Sequence, residues 1–128
     1  MSAPRIVLAS TSRYRAELLR RLLDDFEQVS PDVDEPELPG EAPGARALRL
    51  AVAKAEAAAR DRPDALVIGS DQVAAHGETV LHKPGNIENA RQQLRASSGN
   101  VVDFHTALCV IDTRSGKSGT ALDHTRVV

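Results

Sequence analysis

The residues best suited to chemistry in this sequence follow directly after two short apolar runs. Leu66-Val67-Ile68 is followed by Gly69-Ser70-Asp71-Gln72, and Ile6-Val7-Leu8 is followed by Ala9-Ser10-Thr11-Ser12. Apolar runs of this length predict buried strands. In α/β proteins, ligands and reacting groups gather where such strands end. We therefore expect the Asp71 carboxylate and the hydroxyl groups after the first run to face one cleft.

Asp71 is the first candidate for a catalytic group. An ordinary aspartate has a pKa of about 3.9 and is a carboxylate at neutral pH, so it can bind a divalent cation or orient a water molecule. An aspartate after a strand also caps turns through the neighbouring backbone, and the spacing alone leaves both roles open. Gln72 beside it offers a donor and an acceptor to the edge of a base or to its own backbone.

A helix predicted after the first apolar run offers a site for an anion. Residues 13–23 carry apolar side chains at a spacing of four, starting at Tyr14, which predicts an amphipathic helix. A hydroxyl from residues 10–12 can cap this helix, and its N-terminal N–H groups and dipole favour a bound phosphate. Arg15 lies in the first turn, where a cation opposes the dipole unless an anion binds nearby.

Three further charged residues are candidates because of their surroundings. Residues 45–60 have helical periodicity, and Lys54 lies between apolar positions, so we expect its ammonium to face a crevice. Residues 31–43 contain five acidic residues among four prolines, a composition that predicts a loop. Most of its carboxylates indicate a solvated segment, but Glu35 is kept as a second oxygen ligand for a hard cation. Lys83 follows a hairpin predicted at residues 76–77 and is another candidate phosphate ligand, although a lone lysine is usually exposed.

The composition excludes several classes of protein. A net charge of −2 and an aromatic content of 2% give neither a basic field nor stacking groups for nucleic acid. The single cysteine, Cys109, cannot form an internal disulfide, and no N-terminal apolar segment resembles a signal or an anchor, which favours the cytoplasm. The four histidines lack zinc-site spacing, and glycine-rich nucleotide motifs are absent.

The remaining pattern predicts one α/β domain over residues 1–128. A helix is expected at residues 87–97, a strand at 101–111, a turn at 113–117 and a final strand at 122–128. The alternation of strands and helices favours a mostly covered sheet. The last residues resemble the middle of a strand, so we expect the polypeptide to stop inside a larger fold.

Taken together, six motifs resemble the Maf family of nucleotide pyrophosphatases. In order they are LASTSRYR (8–15) with ELL (17–19), DVDE (32–35), KA (54–55), IGSDQV (68–73), KP (83–84) and NARQQL (89–94). The resemblance implies a Maf or ITPase-like α/β fold, with a mixed twisted sheet flanked by helices. Because members of the family continue further, it also implies that the C-terminal lobe is largely missing from this chain.

The resemblance further implies metal-dependent hydrolysis of a nucleoside triphosphate to the monophosphate and pyrophosphate, with Mg²⁺ or Mn²⁺. The Ser-Asp-Gln form at residues 70–72 and the aromatic Tyr14 are similar to the branch that acts on 7-methyl-GTP. Asp71 would be the catalytic carboxylate and would share the metal with Glu35. The residues that would contact substrate, with Tyr14 and Gln72 selecting the base, are Ser10, Tyr14, Arg15, Lys54, Gln72 and Lys83.

A small nucleotide is thus the expected partner, rather than nucleic acid or a membrane, and a homodimer is left open.

A second hypothesis comes from a different class of protein. Because the C-terminal part is expected to be missing, the chain would then be a noncatalytic remnant that binds nucleotides or other proteins and is linked to control of cell division.

Overall fold

A computed structural model of the chain describes residues 4–77, 79–81 and 101–128. The described residues form two helices and six strands, and all six strands belong to one sheet. In chain order the elements are β1 (Arg5–Ala9), α1 (Arg13–Arg20), β2 (Glu27–Val29), α2 (Pro43–Ala59), β3 (Ala65–His76), β4 (Thr79–Leu81), β5 (Val102–Asp112) and β6 (Lys117–Val127). Neither helix in this part of the chain is long and apolar enough to cross a membrane.

The sheet is mixed, as expected for this α/β fold. The strand order is β2-β1-β3-β5-β6, and β4 also pairs with β3. The neighbours β2, β1 and β3 run parallel, whereas β5 is antiparallel to both of its neighbours, β3 and β6. In the antiparallel half a short turn joins β5 to β6, whereas the parallel neighbours β1 and β3 are joined by a longer crossover that contains α2.

The strand β3 corrects one expectation from the sequence, a strand over residues 66–70, because it does not end at Ser70. It continues to His76, since β5 pairs with it from Leu66 to Ala75. On its other side, β1 pairs with β3 as far as Gly69, and β4 pairs only from Ala74 onward. Residues 70–73 of β3 therefore have no strand partner on that side within the described part of the chain. We call this stretch the β3 gap.

The helix α2 packs its small side chains against the sheet. Its buried positions are Pro43, Ala47, Leu50, Ala51, Ala55 and Ala58. Gly69 in β3 lies under them, where a Cβ atom would overlap the carbonyl oxygen of Ala51 and come within 2.8 Å of the Ala55 Cβ. A glycine inside a strand marks such a close backbone approach. The helix thus lies close to the strand that carries Asp71.

Cys109 is part of this core. Its side chain is buried in β5, and burial raises the pKa of its thiol, with a smaller contribution from the charge of Glu56. The raised pKa keeps the sulfur protonated at neutral pH. A protonated thiol is a weak nucleophile, because the thiolate is the reactive form.

Several boundaries differ from the sequence expectations. The helix α1 ends at Arg20, three residues earlier than expected. The N–H groups of Arg21 and Leu22 donate to carbonyl oxygens three residues back, and Leu22 is exposed, so no core contact extends the helix. The final strand begins at Lys117 rather than at residue 122 because it pairs with β5 along its whole length. The short β2 was not expected, and the helix expected at residues 87–97 lies outside the described residues.

The close approach of α2 to the sheet gives a test of packing. Replacing Gly69 by Ala is expected to lower the free energy of unfolding by about 1–3 kcal/mol, because the methyl group meets backbone rather than a flexible side chain. Gly119→Ala in the exposed β6 is the matched control, since a Cβ atom there has nothing within 4 Å. Denaturant unfolding of both variants is the measurement, and equal stabilities would contradict the packing described here.

Candidate active site

A cavity of about 680 Å³ opens at the β3 gap. The end of β1 and the end of β4 form two of its walls, and α2 forms another through Arg46, Leu50 and Lys54. Its lining is mainly polar and consists of Ser10, Thr11, Ser12, Arg15, Ser30, Pro31, Val33, Glu35, Arg46, Leu50, Lys54, Asp71, Gln72, Val73, Val80 and Leu81. Because none of the described strands pairs with residues 70–73 on this side, the cavity borders β3 directly.

Two carboxylates and one ammonium meet inside this cavity. Lys54 Nζ donates to Asp71 Oδ1 at 2.8 Å and lies 3.2 Å from Glu35 Oε1. Asp71 is buried and the Lys54 side chain is only 15% exposed, whereas Glu35 is half exposed. A buried carboxylate needs such a partner, because an unpaired buried charge is costly. Lys54 therefore faces a crevice, as the sequence predicted.

Two arginines of α2 hold the acidic loop that carries Glu35. Arg46 Nη1 and Arg49 Nη2 both donate to the carbonyl oxygen of Pro36, at 3.2 and 2.8 Å. Arg49 also makes a two-pronged ion pair with Glu41, at 2.7 and 2.9 Å. This pair lowers the pKa of the Glu41 carboxyl, chiefly through the hydrogen bond from Arg49. These contacts hold Glu35, the residue before Pro36, beside Lys54.

The opposite wall is built by the entry into α1. Ser12 caps the helix, and its Oγ accepts from the Arg15 backbone N–H at 3.2 Å. Ser10 Oγ accepts from the Ser12 N–H at 3.1 Å and from Arg15 Nη1 at 3.4 Å. Gln28 of β2 donates to the Ser10 carbonyl oxygen at 2.8 Å. The hydroxyls, the guanidinium and the positive helix end face the same cavity, which is a setting that suits an anion.

The structure brings together most of the residues singled out in the sequence. Ser10, Arg15, Glu35, Lys54, Asp71 and Gln72 all line the cavity. Gln72 donates through Nε2 to Thr106 Oγ1 of β5 at 3.1 Å. Tyr14 is not among the lining residues, and its side chain is 70% exposed on α1. Lys83 lies outside the described residues.

Sequence reasoning missed three contributors to the site. Arg46 lines the cavity, and its position four residues before Leu50 and eight before Lys54 was the signal that these residues share one side of α2. Gln28 and Thr106 left no such signal. Gln28 contacts Ser10 and Thr106 contacts Gln72 across paired strands, and these contacts are seen only once the pairing of the strands is known.

The carboxylates of Glu35 and Asp71 are too few to hold a divalent cation alone, so water and a bound substrate would have to supply the remaining oxygen ligands. Within the described residues no group of three histidine, cysteine or acidic side chains could hold a metal ion. Mg²⁺, however, is commonly bound by one or two carboxylates together with water and substrate phosphates. Glu35 and Asp71 reach the same ammonium at short range, so they are placed to supply such a pair of oxygen ligands.

Two solved structures share this fold. The Ham1 protein of Staphylococcus aureus matches with a TM-score of 0.63 at 18% identity, covering 95% of this chain and 70% of that one. A HAM1 protein from Coxiella burnetii matches with a TM-score of 0.53 at 17% identity, covering 96% and 70%. At this level of identity the likeness shows the fold alone.

The sequence comparisons identify the family. The family model for Maf-like proteins matches residues 5–128, and the chain belongs to that family. The relatives include proteins named 7-methyl-GTP pyrophosphatase. The one from Burkholderia thailandensis is 56% identical over 91% of this chain and 56% of its own length. The one from Cupriavidus pinatubonensis is 50% identical over 97% and 62%. The chain therefore spans less than two thirds of the length of these relatives.

The Arg49–Glu41 pair gives a test of how the acidic loop is held. In Glu41→Gln, amide hydrogen exchange in residues 31–42 is expected to be faster than in the wild type at pH 7. The pair is fully formed above the ordinary glutamate pKa and is lost as the pH falls through the lowered pKa of Glu41. The difference between variant and wild type should therefore shrink on acidification.

Glu56→Gln is the matched control, because it makes the same chemical change at an exposed position of α2. Exchange is compared between proteins at the same pH, so that the intrinsic pH dependence cancels. Equal exchange in Glu41→Gln and wild type at pH 7 would show that the ion pair does not hold the loop.

Proposed function

We propose that this cavity is the active site of a nucleoside triphosphate pyrophosphatase that cleaves 7-methyl-GTP between the α and β phosphates. One observation carries the proposal: Asp71 and Glu35 converge on Lys54 in the same cavity that receives the capped end of α1. Hydrolysis of a phosphate anhydride needs cations around the phosphates and a carboxylate near the reacting phosphorus. The names of the relatives support the same reaction and substrate.

In this proposal the triphosphate lies between α1 and α2. Arg15 and Lys54 contribute positive charge from the two sides, and the N-terminus of α1 adds N–H donors and the positive end of its dipole. Ser10 lies between them and has a hydroxyl within hydrogen-bonding distance of Arg15. These groups attract the phosphate oxygens and stabilise the negative charge that develops on the leaving pyrophosphate.

Asp71 is proposed to orient the water that attacks the α phosphorus and to accept its proton. Its position in β3 is well defined, because the strand is paired with β5 along one edge and α2 packs on its face at Gly69. A bound Mg²⁺ or Mn²⁺, held by Asp71 and Glu35 with the phosphates, would supply additional positive charge and lower the pKa of a bound water. In the free protein the ammonium of Lys54 offsets part of the negative charge of Asp71 and Glu35.

Tyr14 is proposed to contact the base. Its ring lies on α1, one residue before Arg15, and is exposed rather than packed into the core. An exposed aromatic ring beside a phosphate site is available to stack on a base. N7-methylated guanine carries a positive charge, which favours the face of an aromatic ring by a cation–π interaction.

Replacing Asp71 by Asn tests the hydrolase proposal. The wild-type chain is expected to release pyrophosphate from 7-methyl-GTP in the presence of Mg²⁺ or Mn²⁺, and Asp71→Asn is expected to lose about 10²-fold or more in kcat, because the amide cannot accept a proton. Asp61→Asn is the control, since Asp61 is exposed beyond the C-terminal end of α2. Thermal unfolding of each variant separates loss of chemistry from loss of fold.

The same assay distinguishes the second hypothesis. A panel of 7-methyl-GTP, GTP, ATP, UTP and dTTP that yields no pyrophosphate with the wild-type chain contradicts the hydrolase proposal for this chain. Nucleotide binding without turnover, measured by calorimetry, would then favour the noncatalytic remnant. Equal activity in the wild type and Asp71→Asn would instead reject Asp71 as the catalytic carboxylate.

Replacing Tyr14 by Ala tests the contact with the base. Loss of the ring is expected to raise KM for 7-methyl-GTP by about 5-fold or more, corresponding to a cation–π contact of about 1 kcal/mol, and to change KM for UTP less. Tyr14→Phe is the control that keeps the ring and should stay close to the wild type. Equal increases in KM for both nucleotides would rule out selective stacking.

A further inference from the structure

The ammonium group of Lys54 lies between the two carboxylates that are proposed to hold a metal ion. Its Nζ is 2.8 Å from Asp71 Oδ1 and 3.2 Å from Glu35 Oε1. The side chains of Lys54 and Asp71 are only 15% and 11% exposed, so this pair is largely shielded from solvent. The oxygens of both carboxylates therefore converge on one point, and the ammonium is at that point.

A divalent cation held by both carboxylates needs the same place. Mg²⁺ contacts its oxygen ligands at about 2.0–2.1 Å, which is shorter than the distance from Lys54 Nζ to either carboxylate oxygen. An ion shared by Asp71 and Glu35 would thus stand where the ammonium is. Two positive charges at such short range repel strongly in a site shielded from water. The ammonium and the ion are therefore alternative partners for this pair of carboxylates.

A lysine is well suited to exchange one set of oxygen partners for another. Its ammonium has three N–H donors and is carried by a flexible chain of four carbons. Departure of Lys54 alone would leave the buried Asp71 carboxylate without a partner, which is costly. The exchange therefore needs a cation to replace the ammonium at the carboxylates and other anionic oxygens to receive it. The phosphates of a nucleotide bound in the same cavity supply those oxygens.

We propose that Lys54 excludes a divalent cation from Asp71 and Glu35 in the free protein and moves to the phosphates when a nucleoside triphosphate binds. This inference rests on the proposed function and adds a regulation to it, because the carboxylates take up the cation tightly only together with the nucleotide. The coupling is reciprocal, so the cation also strengthens binding of the nucleotide. The same lysine thus serves the carboxylates in the empty cleft and the phosphates in the filled one.

Binding of Mn²⁺ to the nucleotide-free protein tests the inference, with the free ion measured by electron paramagnetic resonance. Lys54→Met is expected to bind Mn²⁺ about tenfold or more tightly than the wild type, because the carboxylates lose the competing charge. Arg15→Met is the matched control and should stay close to the wild type, since it removes a positive charge from the same cavity but not from between the carboxylates. Adding Glu35→Gln to Lys54→Met should abolish the gain. Thermal unfolding checks that each variant is folded.

A second readout uses the protein with Lys54 intact. The side-chain ammonium resonance of Lys54 is assigned in a chain whose other lysines, Lys83 and Lys117, are replaced by Arg. It is expected to stay unchanged with Mg²⁺ alone and to shift with Mg²⁺ and an unhydrolysable analogue of 7-methyl-GTP together.

Equal Mn²⁺ affinities in the wild type and Lys54→Met, or a resonance that Mg²⁺ alone displaces, would overturn the inference. A chain that neither binds nor cleaves nucleotides would contradict the proposed function instead. The Mn²⁺ comparison would still show whether Lys54 excludes the ion, because it needs neither nucleotide nor turnover.

Discussion

The close packing of α2 on β3 is the constraint on which the site depends. Gly69 has no side chain, so Ala51 and Ala55 approach the strand backbone directly. Asp71 is two residues further along the same face of β3, and Lys54 is on the same helix as the two alanines. The distance of 2.8 Å between Lys54 and Asp71 follows from this arrangement. Larger side chains at the contact between α2 and β3 would hold the Lys54 ammonium and the Asp71 carboxylate apart.

The charges of the cavity are organised in two groups that act on different parts of a ligand. Lys54, Asp71 and Glu35 form a compact cluster against α2, in which one ammonium faces two carboxylates. Arg15 and the capped end of α1 form a positive group on the opposite side. A triphosphate can lie between the groups, and the carboxylates have the oxygen donors that a hard cation requires. The acidic loop joins the first group because the arginines of α2 bind its backbone.

Much of the fold and of the candidate site could be predicted from the sequence, and most of the exceptions depend on contacts between residues that are distant in the sequence. The strand at β1, the acidic loop and the exposure of Lys54 to a crevice follow from local patterns of apolar, proline and charged residues. The continuation of β3 past Ser70 does not, because it depends on pairing with β5, which is distant in the sequence. Thr106 was missed for the same reason. The early end of α1 reflects missing tertiary contacts at Leu22 rather than a helix-breaking residue.

The placement of Asp71 shows how a nonlocal pairing alters the meaning of a motif. The sequence predicted a strand end that would present the carboxylate from a turn. The structure presents it from the middle of β3, at the β3 gap of the described residues, and the pairing with β5 makes this a more rigid support. Backbone hydrogen bonds to β5 before and after Asp71 restrict the motion of its main chain, which suits a group that must hold water in a defined direction.

The buried thiol of Cys109 makes the association of α2 with the sheet observable. A protonated sulfur with almost no exposed surface reacts slowly with an alkylating reagent while the helix covers it. Each opening that lifts the helix from β5 uncovers the sulfur, so the rate of modification reports the free energy of that opening. Because the same helix carries Lys54, this single natural probe measures how firmly the side of the cleft that holds Lys54 is kept in place.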